Sequence, residues 1–462
     1  MREDAGAGRR VLLSGWGRTA PTAARLARPR DLAELAELVA RAPERGVIAR
    51  GLGRSYGDAA QCAGGLVLDC ADLDPGFRVD AAAGTVTASA GTSLDTLLRE
   101  LVPRGWFPPV VPGTRHVTVG GAIAADIHGK NHHADSSFGA HLRSYTVVTG
   151  TGEVRTLRPG DGAPFWAGVG GMGLTGVITE AVVALRPVET AWMRVDTDRT
   201  PDLDATLDLM ARTDGDYHHT VAWVDLLAAG ARTGRSVVTR GHHAVRDDLP
   251  VRARRDPLRF APRVLGAAPG WAPPGLLNRW TVRAFNTAWY ARAPQRRRDE
   301  ITPASGFFHP LDAVRGWNRL YGPRGLVQYQ FAVPFGAEPV LRRVVERLSA
   351  ARAASFLAVL KRFGPGTPGP LSFPQPGWTL ALDLPAELSG LPVLLDTFDR
   401  WVADAGGRVY LAKDSRMHPE LPARMYPRLD EWRAVRAEVD PAGVFRSDLA
   451  RRLDLVGGGG SR

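Results

Sequence analysis

The residues best suited to chemistry lie between positions 113 and 133, in the stretch GTRHVTVGGAIAADIHGKNHH. This stretch contains four glycines, four histidines, one arginine and one lysine. That is too much glycine for a helix and too much charge for a buried strand, so an irregular loop is predicted. Glycine lets bare backbone approach a ligand closely, and the cationic side chains attract anions. The stretch therefore predicts a binding site built from backbone amides and mobile cations.

A metal site is an alternative for the histidines. His128 and His132 are four residues apart, the spacing that aligns two ligands on one face of a helix. Gly129 and Asn131 lie between or beside them and disfavour that helix, and no acidic ligand fits the spacing. We therefore predict no metal.

Three glycine-rich segments share the N-terminal half of the chain: 51–57, 113–121 and 168–176. Gly168, Gly170 and Gly173 match the G-x-G-x-x-G dinucleotide fingerprint, but a β-branched strand pattern follows them. The fingerprint requires a helix at that point, so a Rossmann site is rejected. Such loops can still bind an anion through backbone amides, and three together favour a dinucleotide.

The elements around these loops do not follow a regular βαβ order. Amphipathic helices are predicted at 31–42 and 93–105, capped by Asp31 and Ser93. After Pro187 the pattern changes to strands separated by polar stretches and inserted helices. The predicted fold class is α+β, with strands at 64–70, 84–91, 143–157, 218–227, 234–240, 325–334 and 377–384 and later helices at 338–352, 391–405 and 430–440.

Composition narrows the class of protein. The 462 residues carry a net charge of +11 from dispersed arginines, which suits an anionic substrate, a membrane surface or nucleic acid. No nucleic-acid recognition module is found, so nucleic-acid binding is kept only as an alternative. Cys62 and Cys70 form no metal or redox pattern. Since no signal peptide or transmembrane run is found, we expect a cytoplasmic protein or one peripheral to the plasma membrane, with an envelope-side location as the open alternative.

Several long motifs resemble one flavoprotein family. They are ARGLGRSYGD (49–58), PGTRHVTVGGAIAADIHGKNHH (112–133), GLTGVI (173–178), QYQF (328–331), KRFGP (361–365), LSFPQPGW (371–378) and AKDSR (412–416). Together they resemble the flavoprotein oxidases of decaprenylphosphoryl-ribose epimerisation, within the vanillyl-alcohol-oxidase-like FAD superfamily. The resemblance extends from about Leu13 to about Leu455.

The resemblance implies where FAD binds. Residues 118–121 are expected at the pyrophosphate and ribityl region, residues 126–129 along the isoalloxazine, and Ile178 on the adenine side. Many relatives carry a histidine, covalently bonded to flavin, where this chain has Arg54, so we expect non-covalent FAD. The implied cofactor-binding residues are Arg50, Gly51, Leu52, Gly53, Arg54, Ser55, Tyr56, Gly57, Gly113, Thr118, Val119, Gly120, Gly121, Asp126, Ile127, His128, Gly129, Gly173, Gly176, Ile178 and Tyr410.

The resemblance also implies the catalytic residues. Oxidising a secondary alcohol needs a base near the hydroxyl and positive charge near the flavin carbonyl. The implied candidates are Lys413 and His128, with Tyr56 beside them. Which of the first two accepts the proton is left open.

The implied substrate residues come from both halves of the chain. Gln328 and Gln330 alternate along one strand, so both point to the same face. Relatives usually carry asparagine at the position of Thr379, and mycobacterial relatives carry cysteine at the position of Ala381. The implied substrate-binding residues are Lys130, Trp223, Gln328, Gln330, Lys361, Thr379, Ala381 and Lys413.

The resemblance further implies three parts of the chain: an FAD domain (1–190), a substrate domain (191–408) and a C-terminal segment (409–462) that completes the FAD domain. The implied activity is oxidation of the 2′-hydroxyl of a decaprenyl-phosphate-linked ribose, beside a separate NAD(P)H-dependent short-chain reductase. The alternative is an alditol or aldonolactone oxidase. Aromatic residues and six arginines interleave in 271–298, which favours peripheral contact with a membrane.

Overall fold

The computed structural model describes residues 8–271, 273 and 275–457. Within these residues no helix is both long and apolar enough to cross a bilayer. Helices and mostly antiparallel sheets are mixed, which confirms the predicted α+β class.

Strands occur in both halves of the described chain. In chain order they are β1 (Arg9–Leu13), β2 (Thr22–Ala27), β3 (Val47–Arg50), β4 (Leu66–Asp69), β5 (Phe77–Asp80), β6 (Thr85–Ser89), β7 (Trp106–Phe107), β8 (Leu142–Val148), β9 (Val154–Leu157), β10 (Val177–Ala184), β11 (Arg186–Pro187), β12 (Trp192–Thr200), β13 (His219–Val224), β14 (Ser236–His243), β15 (Gly266–Ala267), β16 (Arg296–Pro303), β17 (Val314–Arg315), β18 (Leu326–Pro334), β19 (Ala358–Phe363), β20 (Gly377–Pro385) and β21 (Arg408–Val409).

The α-helices are shorter and fewer in the first half. In chain order they are α1 (Leu32–Ala40), α2 (Leu94–Leu101), α3 (Val119–Ala124), α4 (His132–Asp135), α5 (Ala163–Gly168), α6 (Leu203–Thr213), α7 (Arg279–Arg292), α8 (Ala304–Phe308), α9 (Glu338–Ala350), α10 (Leu391–Asp404), α11 (Pro422–Met425), α12 (Leu429–Val439) and α13 (Asp448–Arg452).

Two sheets form the N-terminal part. The first has strand order β1-β2-β4-β3, in which β2 and β3 run parallel to β4. The second is antiparallel, with order β5-β6-β10-β8-β9. Helices α2 and α3 pack on this second sheet, where Leu97 and Ile123 share a core with Val86 and Val147. Burial of these apolar faces fixes the loops that connect them.

An eight-stranded antiparallel sheet forms the second half, with order β16-β12-β14-β13-β19-β20-β18-β21. Helices α9 and α10 cover one face through Leu341, Val345 and Phe398. The sheet extends from 192 to 409, beside the expected substrate-domain limits of 191 and 408. The domain limits themselves stay a prediction.

The C-terminal segment returns to the N-terminal sheets. Phe445 forms a parallel β-bridge with Val47, at the edge of the first sheet. Trp432 of α12 donates its indole N–H to the Ala167 carbonyl at 3.0 Å. The chain end is thereby packed against the glycine loops of the first half.

The five helices predicted from local signals are present in the structure. Asp31 caps α1 by accepting from the Glu34 N–H, and Ser93 caps α2 by accepting from the Thr96 N–H. The predictions at 338–352, 391–405 and 430–440 correspond to α9, α10 and α12.

The prediction that 113–133 forms no helix is wrong, because α3 lies within it and α4 begins at His132. Thr118 begins α3 by accepting a hydrogen bond from the Gly121 N–H at 3.1 Å. A Cβ on Gly120 would lie 2.9 Å from the Ala90 Cβ, so glycine is required for close packing on the second sheet. Tertiary packing outweighs the low helix propensity of glycine here.

Candidate active site

A cavity of about 500 Å³ is lined by the three glycine loops, by strands β18 to β20 and by the segment 410–413. The loops converge because the C-terminal segment packs on them. Tyr56 donates its backbone N–H to the Ala412 carbonyl at 3.0 Å. A Cβ on Gly57 would lie 2.0 Å from the Asp414 carbonyl oxygen, so the first loop and this segment touch through bare backbone.

The second and third loops also depend on glycine at close contacts. A Cβ on Gly51 would lie 2.4 Å from the Thr118 hydroxyl, which joins the first loop to the second. Gly176 has φ +149°, and a Cβ there would lie 2.3 Å from a Val147 methyl group. By contrast, no atom lies within 4 Å of the Cβ position of Gly113, so its backbone is open toward the cavity.

Arg54 takes the position of the covalent histidine in many relatives, and it is engaged by the protein. Its Nε donates to the His116 carbonyl at 2.9 Å. Its guanidinium lies over the Trp16 ring, 3.9 Å from the ring centroid. Arg54 therefore joins the first loop to the second and is held there by stacking.

His128 lies at the centre of the polar end of the cavity. The Gln330 amide nitrogen donates to its Nε2 at 2.9 Å, and its Nδ1 is buried without a protein partner. Because an amide NH₂ group only donates, Nε2 accepts and Nδ1 carries the proton. Burial and the nearby Lys361 ammonium lower the pKa of His128 well below its usual value, so the ring is neutral.

Two lysines line the same end. Burial lowers the pKa of Lys413 to about 8, against the opposing effect of the Asp383 carboxylate. Its ammonium lies 4.2 Å from the centroid of the Tyr56 ring. Burial, with the nearby Lys130 and Lys413, lowers the pKa of Lys361 to about 7. Both amines are therefore partly neutral near physiological pH.

Tyr410 forms an aromatic wall beside His128. Its ring stacks on Phe373 with centroids 4.6 Å apart and lies 5.3 Å from the His128 ring. Its hydroxyl donates to the Ala125 carbonyl at 2.7 Å. This hydrogen bond ties the 410–413 segment to the end of α3.

Asp383 is a residue that the sequence analysis missed. It is fully buried on β20 opposite Gln328, whose amide donates to it at 2.5 Å. Burial raises the pKa of Asp383 to about 7, while the Gln328 hydrogen bond and Lys413 act to lower it. A signal was present, because strand alternation places Asp383 on the same face as Thr379 and Ala381.

The structure brings most of the predicted residues to this cavity. Gln328 and Gln330 both reach it from β18, as alternation predicted. The predicted residues that line it are Arg50, Gly51, Leu52, Gly53, Arg54, Ser55, Tyr56, Gly57, Gly113, Thr118, Gly120, Gly121, Ile127, His128, Gly173, Gly176, Ile178, Gln328, Gln330, Lys361, Ala381, Tyr410 and Lys413. Their binding roles stay predictions.

The other predicted residues lie behind the wall. Asp126, expected along the isoalloxazine, turns its carboxylate away from the cavity and accepts from Ser137, Thr367, Ser372 and the Gly139 N–H. It therefore joins three chain segments. Val119 lies in the core under α3, and Gly129 packs against the Val111 carbonyl. The hydroxyl of Thr379 accepts from Gln330 at 3.2 Å.

Lys130 and Trp223 lie outside the residues that line the cavity. The ammonium of Lys130 donates to the Phe307 carbonyl and lies 4.3 Å from the Phe307 ring centroid. The indole of Trp223 donates to the Phe356 carbonyl at 2.9 Å. Neither placement tests the predicted contact with substrate.

The lining also includes residues without a motif signal. Trp16, Asp312, Arg315 and Trp317 approach the cavity from loops that are distant in sequence. The pairing of β15 with β17, the hydrogen bond from the Trp16 N–H to the Ser55 carbonyl and the contact between the Trp16 and Trp317 rings help to bring them together.

The residues present fit FAD. Glycine backbone from three loops offers amide donors for a pyrophosphate, and the open Gly113 position leaves room for a ligand. Small and apolar side chains at Ala90, Cys70 and Ile178 line one end, and buried lysines with His128 line the other. The cavity therefore combines an apolar end with a cationic, proton-exchanging end.

Comparison with known proteins agrees with this assignment. The FAD binding domain family matches residues 23–158, and the D-arabinono-1,4-lactone oxidase family matches residues 394–453. Decaprenylphosphoryl-beta-D-ribose oxidase of Mycolicibacterium smegmatis is 46% identical over 451 residues, covering 96% of this chain and 97% of that protein.

Two further relatives are similar over smaller parts of the chain. An uncharacterised Streptomyces coelicolor protein is 45% identical over 79% of this chain and 100% of its own length. L-gulono-1,4-lactone dehydrogenase of Mycobacterium tuberculosis is 32% identical over 37% of this chain and 39% of that protein. Given the identity along nearly the whole of both proteins in the first comparison, the chain belongs to the decaprenylphosphoryl-β-D-ribose oxidase family of FAD-dependent oxidoreductases.

Proposed function

We propose that this protein oxidises the 2′-hydroxyl of decaprenylphosphoryl-β-D-ribose to the 2′-keto form. The observation that carries the proposal is the cavity end where His128, Gln330, Lys361 and Lys413 meet beside the three glycine loops. Its chemistry suits a sugar alcohol linked to a phosphate. The Mycolicibacterium smegmatis relative, which matches over 97% of its length, is named for that substrate, and this supports the proposal.

We assign the role of base to Lys413. The Nε2 lone pair of His128 already accepts from Gln330, and Nδ1–H can only donate, so His128 has no site for a proton. A pKa of about 8 leaves a substantial neutral fraction of Lys413 near neutral pH, and a neutral amine accepts the hydroxyl proton. Bound FAD supplies the acceptor for the hydride from C2′. The His128 N–H is free to orient a sugar oxygen.

The test of this function is flavin bleaching under anaerobic conditions. Adding decaprenylphosphoryl-ribose should abolish the visible flavin band, whereas an alditol or aldonolactone should not. Bleaching by the soluble sugars alone would contradict the proposal. Replacing the base in Lys413→Met should slow bleaching by roughly 10²–10⁴-fold while the protein keeps its flavin.

An aldonolactone oxidase is the second candidate, favoured by the C-terminal match to the D-arabinono-1,4-lactone oxidase family over 394–453. That match covers α10 to α13 and the 410–413 segment, and excludes strands β18 to β20. The cations and amides from those strands are the groups that suit a phosphate-linked sugar. The bleaching experiment distinguishes the two substrates directly.

We propose that FAD is bound without a covalent link, since arginine cannot form the bond that a histidine forms at this position. Acid precipitation of the purified protein should release the yellow colour to the supernatant. Colour retained in the pellet would contradict a dissociable cofactor.

We also propose peripheral contact with a membrane, because the substrate tail is a lipid. Trp271 and Trp280 are exposed by 79% and 64%, and they lie among the arginines of 271–298. Such a surface suits anionic headgroups. Sedimentation with phosphatidylglycerol vesicles but not with phosphatidylcholine vesicles is expected, and it should weaken with salt. Equal sedimentation of the protein with both kinds of vesicle would contradict the proposed attraction between its arginines and anionic headgroups.

The keto product requires a reductase to complete an epimerisation. We propose a separate NAD(P)H-dependent short-chain reductase as the partner, because this chain is expected to bind FAD alone. Incubating the oxidised product with such a reductase and NADH or NADPH should yield the arabinose epimer. Return of ribose alone would contradict this partnership.

A further inference from the structure

An aromatic path leads from the cavity to the surface, and it starts at the cavity wall. Trp317, Leu357 and Val359 line the cavity, together with Leu311 and Val314. These five side chains are apolar, although Asp312 and Arg315 of the same segment also line the cavity. The sugar-binding end carries Gln330 and Lys361. A sugar and its phosphate form hydrogen bonds, for which these apolar side chains offer no partner.

Phe356 connects this wall to the outside of the protein. Its ring lies 6.5 Å from that of Trp317 and 5.8 Å from that of Tyr321, against which it stacks. On its other side it lies 5.9 Å from Phe285 of α7, edge to face. A continuous row of rings therefore joins the cavity wall to α7.

The path ends on an exposed face of α7. Phe285 and Trp289 stack with centroids 6.0 Å apart, and they are exposed by 46% and 50%. Trp223 packs 6.5 Å from Trp289 and also anchors the Phe356 carbonyl. Large aromatic rings left half-exposed beside a ligand cavity commonly mark a binding surface.

We infer that this row of rings binds the isoprenoid chain of the substrate, from Trp317 through Phe356 to Phe285 and Trp289. The inference rests on the proposed function, because a soluble sugar would have no chain to place there. The sugar then lies at the lysines and His128, the phosphate between the two ends, and the chain passes out along α7. Trp223 takes part as the residue that holds Phe356 and Trp289 in place.

The experiment compares two substrates and two variants in detergent micelles, where membrane binding does not enter. One substrate is decaprenylphosphoryl-ribose, and the other carries a single isoprene unit. Phe285→Ala should raise KM for the long substrate roughly tenfold, equivalent to about 1.4 kcal/mol, and leave KM for the short one within about twofold.

Phe335→Ala is the matched control. Phe335 is the same residue type with a similar exposed fraction, 44%, but it packs on Trp378 away from the path. It should change neither KM. Flavin content of each variant verifies the fold.

Three outcomes would overturn the inference. An equal KM rise for both substrates would mean that Phe285 supports the sugar end. Unchanged KM values in Phe285→Ala and also in Trp289→Ala would mean that the chain lies elsewhere. If the wild type oxidises the short substrate with the same KM as the long one, no chain site exists. Failure of the wild type to oxidise either substrate would instead reject the proposed function, and the chain path with it.

Discussion

Burial acts in opposite directions on the two ionisable residues closest to the proposed chemistry. It lowers the pKa of the Lys413 ammonium to about 8 and raises the pKa of the Asp383 carboxyl to about 7. Near pH 8 the carboxyl is therefore mostly ionised while the amine is partly neutral. The negative charge favours the ammonium form, so Asp383 determines how alkaline the medium must be before Lys413 can accept a proton.

Asp383→Asn should shift the pH dependence of flavin reduction. Reduction in the wild type should rise with pH through about 8, as Lys413 loses its proton. Asparagine retains an oxygen acceptor for Gln328 but removes the charge, so the pKa of Lys413 falls and the rising limb moves to lower pH. Anaerobic stopped-flow rates across pH measure this shift. A limb that stays in place would show that Asp383 does not act on Lys413.

Lys361→Gln should mainly affect substrate binding. The lysine lines the sugar-binding end, and we expect its ammonium to bind the substrate phosphate where the phosphate adjoins the sugar. Loss of a charge-assisted hydrogen bond should raise KM at least tenfold, with kcat within about threefold of wild type. Steady-state kinetics at a pH below 7, where the amine is charged, give the clearest contrast. A fall in kcat at unchanged KM would place Lys361 in the chemical step instead.

At the scale of elements, the glycine loops are positioned by backbone contacts that no side chain can replace. The first loop touches the 410–416 segment at Gly57 and the second loop at Gly51. These contacts place Tyr56 and Lys413 on the same wall. An atom added at Gly57 must displace main chain, and one added at Gly51 must displace the Thr118 side chain, which is costly in a packed site.

Gly57→Ala should weaken FAD binding at least tenfold and lower the melting temperature. The Cβ of the new alanine would overlap the Asp414 carbonyl oxygen, so the first loop and the 410–416 segment must move apart. Titration of apo-protein with FAD and thermal unfolding measure the two effects. Gly215→Ala is the control, because no atom lies within 4 Å of its Cβ position and Gly215 is not among the residues that line the cavity. Wild-type FAD affinity in Gly57→Ala would contradict the packing argument.

At the scale of the whole molecule, the C-terminal helix α13 connects the first glycine loop to the 410–416 segment. Arg452 forms salt bridges of 2.8 Å with Asp58, which directly follows the first loop, and with Asp414 of the 410–416 segment. These two carboxylates raise the pKa of Arg452 above its usual value, despite burial. One guanidinium from the chain end thus bridges segments about 350 residues apart in the sequence.

Arg452→Ala should destabilise the protein by about 3 kcal/mol, because it leaves buried Asp414 without its cation. The affinity for FAD should also fall, since Asp58 directly follows the first glycine loop and Asp414 directly follows the 410–413 segment. Denaturant unfolding and FAD titration test both effects. Arg424→Ala is the control: its pair with Asp404 is exposed, and removing it should cost less than about 1 kcal/mol. Equal destabilisation by the two variants would contradict the bridging role.

Local patterns were sufficient for much of the fold and part of the site. The caps at Asp31 and Ser93, the alternation that brings Gln328 and Gln330 to one face, and the strand after 168–176 all depend on residues close in sequence. The glycine loops were recognisable because a bare backbone is a property of composition. The helix α3 was not, because it packs against Ala90, which directly follows β6 and is distant from α3 in sequence.

Folding in three dimensions decided the remaining features. The turn of Asp126 away from the cavity, the coupling of Asp383 to Lys413 and the row of rings from Trp317 to α7 each join segments far apart in the chain. Chemistry of the site can be inferred from residue types and short spacing. Burial and the hydrogen-bond partners that only the assembled sheets supply determine which group can accept a proton. They also determine where a lipid chain passes.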